Sequence, residues 1–152
     1  MLQRLLLVLV LLTPPLVRAA SCLVDATGVI FGSYDPRSSA QATGTITVTC
    51  QSTAPPESGS YSIALGSGAS RSYDDRMMAS GSEVLHYQLY REPSHATVWG
   101  DGTGGSGVVM GNYSLSDSTQ ASYKHSIYGH IRAGQWTAAG SYTDTITVTV
   151  SY

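Results

Sequence analysis

Thr45-Ile46-Thr47-Val48-Thr49-Cys50 alternates hydroxyl and apolar side chains, and Tyr142 to Tyr152 does the same over eleven residues. Tyr61-Ser62-Ile63-Ala64-Leu65 and Leu85-His86-Tyr87-Gln88-Leu89-Tyr90 repeat the pattern more weakly. Successive side chains of a strand point to opposite faces, so a period of two makes one apolar and one wet face. Thr and Val are also stiff at χ1 and suit a pleated surface. Val24 to Phe31, Val108 to Leu115 and Ser126 to Ile131 are further short candidates. Helical periodicity is weak. Its best window, Asp74 to Tyr90, is broken by Gly81. Turn-like segments such as Ser33-Tyr34-Asp35-Pro36, Ala54 to Gly59 and Gly100 to Gly107 separate the alternating runs. About seven short strands joined by such turns predict an all-β fold, an antiparallel β-sandwich.

The first nineteen residues fall outside that pattern. Arg4 precedes the apolar run Leu5 to Leu12, then come Pro14 and Pro15 and the ending Val17-Arg18-Ala19-Ala20. A charged start, a short apolar stretch and small residues at the end read as a secretory signal peptide at 1–19, with cleavage after Ala19. Eight apolar residues are too few for a bilayer span, which needs about 20. The domain then runs over 20–152, and no later stretch is long and apolar enough to cross a membrane. This predicts a secreted protein.

Charged residues make up 12% of the chain and the formal charge is −2. That composition excludes an affinity for nucleic acid built on phosphate neutralisation. The 42% hydrophobic content suffices for a core and argues against a disordered chain. After Ala19 there are 22 Ser and 14 Thr, so the polar surface is mostly hydroxyl. Cys22 and Cys50 are the two cysteines. An even count behind an export signal implies a disulfide. Two unpaired thiols, or a lipoprotein with Cys22 in an imperfect lipobox, are the alternatives.

The remaining motifs carry little chemistry. Gly102 to Gly107 matches G-x-G-x-x-G, but no helix follows to face a pyrophosphate, so it reads as a flexible loop. His86, His95, His125 and His130 form no metal-ligand spacing. No G-x-S-x-G elbow is present. Neither an enzyme nor a cofactor or metal site is expected. Asn112-Tyr113-Ser114 is a glycosylation sequon that matters only in a glycosylating host. Trp99 and Trp136 sit in turn-rich segments and read as corner anchors.

Cys22-Leu23-Val24 with Gly28 to Pro36, Gly44 to Cys50, Leu85 to Tyr90, Val98 to Gly102, Tyr128 to Ile131 and Gly140 to Thr145 follow one another along the chain. In that order these motifs resemble the spore coat protein U domain. The resemblance runs through nearly all of residues 22–152. It implies an immunoglobulin-like antiparallel β-sandwich that lacks its last strand. It also implies a subunit of an archaic chaperone–usher surface pilus, exported through the periplasm and displayed at the cell surface as a fimbrium. The implied partners are a periplasmic pilus chaperone, an outer-membrane usher and other pilus subunits, and the family's disulfide would fall on Cys22 and Cys50. The alternative is a secreted coat-type β-sandwich that binds a surface ligand without polymerising.

The C-terminal alternation gives that role a physical basis. Ile146, Val148, Val150 and Tyr152 form the expected inward set, and Val29 and Phe31 join them as candidate contacts for a donated strand or a chaperone. An unpaired apolar edge is an aggregation hazard that β-augmentation relieves. Only Ala20 and Ser21 stand between the cleavage point and Cys22, which predicts a chain able to accept a strand but not to donate one. That favours a minor or tip subunit serving adhesion and biofilm attachment.

Overall fold

The computed structural model describes residues 20–116 and 119–152, so the expected signal peptide lies outside the described residues. Among the described residues there are eight strands. They are β1 (Ser21–Thr27), β2 (Ala40–Gln51), β3 (Glu57–Leu65), β4 (Arg76–Ser80), β5 (Glu83–Tyr90), β6 (Val109–Leu115), β7 (Gln120–Ile131) and β8 (Val148–Ser151). Five form one sheet in the order β1-β2-β7-β5-β4, and three form the other, β6-β3-β8. All the pairings are antiparallel.

The period-two runs explain the layering. In β2, Ile46, Val48 and Cys50 are buried while the intervening threonines are only half-buried. Tyr61, Ile63 and Leu65 do the same for β3, and Leu85, Tyr87 and Leu89 for β5. Each fully buried aliphatic side chain contributes roughly 1.5–3 kcal/mol of transfer free energy. Cys22 pairs directly with Cys50 in the β1–β2 ladder, and the two form a disulfide. That bond leaves neither thiol free and removes Cys22 from the lipidation alternative.

The window with the best helical pattern is a hairpin. β4 and β5 pair from Arg76↔Tyr87 to Ser80↔Glu83 around Gly81, whose φ of +61° suits a residue without a Cβ. Trp99 is fully buried, and its indole N–H donates to the Ile63 carbonyl at 2.9 Å while its backbone N–H donates to Leu89. It therefore pins the two sheets together. The expectation that Trp136 is also an anchor is wrong: its side chain is 75% exposed.

Arg76 is the one charged side chain buried completely among the described residues. It occupies an inward position of β4, opposite Tyr87. Its guanidinium donates to Gly66 O at 2.8 and 3.2 Å, to Gln88 Oε1 at 2.5 Å and to Trp99 O at 2.7 Å. Its charge is thus held by carbonyl dipoles rather than by a contacting carboxylate.

Two expected strands are shorter than their alternation. The Val24–Phe31 candidate leaves the ladder at Thr27, and the Tyr142–Tyr152 candidate is laddered only from Val148 to Ser151. Both lost stretches border the same opening in the sandwich.

Candidate functional site

β8 pairs with β3 on one side and lies at the edge of its sheet. Before β8, Thr143 exchanges backbone hydrogen bonds with Ala79 of β4, and Thr147 O accepts from Gly66 N–H. The segment thus crosses from one sheet to the other. Alternation persists through it: Tyr142, Asp144, Ile146, Val148 and Val150 are half-buried, and the threonines between them are exposed.

The facing wall comes from the chain after β1. Val29 and Phe31 turn inward against the core, while Ile30 between them is 84% exposed. Phe31 packs edge-on against Tyr87 with ring centroids 6.1 Å apart. The close approach requires Gly129 beneath it. A Cβ there would lie 2.5 Å from Val29 Cγ1 and 2.7 Å from Phe31 Cζ. Among the described residues, no backbone–backbone hydrogen bond ties residues 28–34 to another segment.

Between the walls lies a cavity of about 1030 Å³. Residues 26–34 line one side and residues 137–144 the other, with Ile146 and Val148. The floor is the sandwich core itself: Leu65, Leu85, Tyr87, Leu89, Ile127 and Ile131. An apolar floor between residues 28–34, whose backbone joins no ladder, and a segment tied by backbone bonds to other segments only at Thr143 and Thr147 among the described residues has the chemistry of a strand-binding groove. Backbone groups on either wall can take up a ladder, and alternate side chains of the incoming strand can fill the floor.

One polar group interrupts the floor. Asp144 Oδ2 accepts from the Tyr87 hydroxyl at 2.7 Å, and Oδ1 accepts from the backbone N–H of Ala69 and of Thr145. Burial, and then this bond to Asp144, push the Tyr87 phenol well above the ordinary tyrosine range.

Of the residues singled out from sequence, Val29, Phe31, Ile146 and Val148 line the cavity together. Val150 packs against the core beyond the lining. Tyr152 keeps the inward parity but lies past the last ladder residue and is 60% exposed, so it does not join the set. Sequence reasoning missed the 137–141 wall and the Tyr87–Asp144 bond. The floor residues were legible as core, but nothing in their spacing says that the sandwich is open above them.

Residues 7–149 match the Spore Coat Protein U domain, a match that begins inside the expected signal peptide. No curated protein matches the chain. Six solved chains do. One belongs to the crystal structure of the CsuC–CsuE chaperone–tip adhesion subunit pre-assembly complex from the archaic chaperone–usher Csu pili of Acinetobacter baumannii. It is 22% identical, with a TM-score of 0.55, over 88% of this chain and 40% of that one. The chain therefore spans about two fifths of its neighbour's length, and the likeness is one of fold. The family match, by contrast, covers most of the sequence and takes in the motifs that border the groove, and the chain belongs to the Spore Coat Protein U domain family.

Proposed function

We propose that this protein is a structural subunit of an archaic chaperone–usher surface pilus. The carrying observation is the groove of about 1030 Å³ between residues 26–34 and residues 137–144, with Ile146 and Val148, floored by core side chains. A periplasmic chaperone, and later a neighbouring subunit, would lay a strand into it. Three or four aliphatic side chains from that strand would each contribute roughly 1.5–3 kcal/mol before ordering costs. Export through the periplasm, transfer at an outer-membrane usher and display at the cell surface follow from that role, with residues 1–19 as the export signal. The site would comprise Val29, Phe31, Ile146, Val148 and Val150. A minor or tip position, with adhesion and biofilm attachment as its purpose, is the form of the role that fits a strand acceptor. Support comes from the family and from a fold shared with a chain of a chaperone–tip subunit complex.

The test is co-expression of the protein with and without a pilus chaperone in the periplasm. Yield should collapse without the chaperone, and the two proteins should elute together when both are present. A soluble monomer of equal yield and equal unfolding midpoint in both cases would overturn the proposal and leave the secreted coat-type reading.

A further inference from the structure

We propose that export cuts the chain between Ala19 and Ala20 and that the new α-ammonium of Ala20 docks on the Glu57 carboxylate. Ala20 is 5% exposed and belongs to the hydrophobic core, so the residue before β1 is part of the fold. Its backbone nitrogen donates to Glu57 Oε1 at 2.7 Å. Glu57 is the first residue of β3, in the opposite sheet, so this bond joins the layers at one end of the sandwich. A carboxylate aimed at a backbone nitrogen next to the expected cleavage point is a ready counter-ion for a chain terminus.

The ladder registers show what else stands at that end. Gln51 lies opposite Ser21, Gln120 opposite Gln51, and Leu115 opposite Glu57. None of these is charged, so among the described residues at this end Glu57 supplies the charge that meets the terminus. Hydrolysis of the Ala19–Ala20 amide consumes one water. It leaves a carboxylate on Ala19 of the released peptide and an ammonium on Ala20. The precursor's amide N–H meets a charged acceptor only; after cleavage donor and acceptor are both charged, and the contact becomes an ion pair. Processing would lock β1 onto β3 rather than free an N-terminal tail. On the pilus reading, on which this consequence rests, a docked terminus cannot serve as a donor strand, and the subunit accepts without donating.

The experiment takes the protein from the periplasm, with its chaperone where one accompanies it. Intact mass and N-terminal sequencing read the first residue. Trace acetylation across pH 6–10 then reports the α-amine, with Lys124, the sequence's single lysine, as internal reference. The expected first residue is Ala20. Its amine should titrate above the ordinary range of about 7.7–8.0 and return to it in Glu57→Gln, which keeps the acceptor oxygen but not the charge. A rise of one unit makes labelling at pH 7 about tenfold slower in the wild type. Lys124 should be unmoved. A different first residue, or a wild-type amine that titrates in the ordinary range, overturns the proposal. Neither readout depends on whether a chaperone binds, so failure here is distinguishable from failure of the pilus reading.

Discussion

The Tyr87 hydroxyl donates to Asp144 Oδ2 at 2.7 Å and so ties β5 of one sheet to the segment that carries the chain into the other. Tyr87→Phe deletes the donor and leaves the carboxylate with two backbone N–H partners. A hydrogen bond to a charged group contributes about 1.5–3 kcal/mol, and the substitution should cost up to that much near pH 8. The phenol's pKa is raised in the folded state by burial and then by Asp144. Its stabilisation is therefore fully present below the unfolded value near 10 and is lost as pH rises further. Urea midpoints of wild type and Tyr87→Phe should keep a constant gap from pH 8 to about 10 and converge above it; a gap unchanged at about pH 11 would contradict this account.

His125 should make the fold acid-sensitive. It faces inward on β7, where its Nε2 lies 2.8 Å from the Tyr61 hydroxyl and the two rings meet edge to face. Burial lowers its pKa below the ordinary histidine value. A depressed pKa gives stability that is present above the unfolded value near 6.5 and lost as pH falls. His130 is lowered as well, by burial first and then by His95 and Arg132, so one substitution will not abolish the effect. His125→Gln should show a shallower loss of stability from pH 6.5 to 5 than wild type in thermal melts. Parallel curves would mean that His125 is already solvated.

The two long ladders show what alternation encodes and what it does not. β2 and β7 pair over their full lengths, and the hydroxyl–apolar period of β2 states its inward face outright. The same period continues through Thr143, Thr145 and Thr147, yet most of that stretch has no ladder, because pairing depends on a neighbour that the side-chain pattern cannot name. Val29 and Phe31 extend the β1 alternation beyond Thr27 while their backbone leaves the sheet. Trp99 and Trp136 sit in similar turn-rich sequence, and only Trp99 finds a buried carbonyl for its N–H. Arg76, one charge in a short polar stretch, gives no local sign that three backbone and side-chain oxygens wait for it in the core.

Those oxygens decide what Arg76 is worth. Arg76→Met fills much of the volume and removes the desolvation of a guanidinium, which burial already opposes by lowering its pKa. It also leaves Gly66 O, Gln88 Oε1 and Trp99 O without this donor. A buried polar group stranded in this way costs about 1–3 kcal/mol. Gln88 Oε1 keeps the Leu89 N–H, but the two stranded carbonyls outweigh the relief, and a net loss of about 2–4 kcal/mol is expected. Equilibrium urea unfolding measures it. A variant as stable as wild type would mean that water reaches the site.

Neighbouring residues on β8 separate the groove from the rest of the strand. Val148 faces the cavity opposite Leu65, and Thr149 faces solvent opposite Ala64. Val148→Arg would set a guanidinium on a floor of Leu and Ile side chains, where an unpaired charge costs several kcal/mol once a strand covers it. Every 1.4 kcal/mol is tenfold in affinity, so chaperone capture should fall by at least about tenfold. Thr149→Arg keeps the ladder with β3 and should change capture by less than about twofold. Formation of the Cys22–Cys50 disulfide, at the far end of β1, reports whether each variant has folded. Val29→Arg charges the opposite wall and should reproduce the loss. Capture that survives in both wall variants would place the partner on another surface.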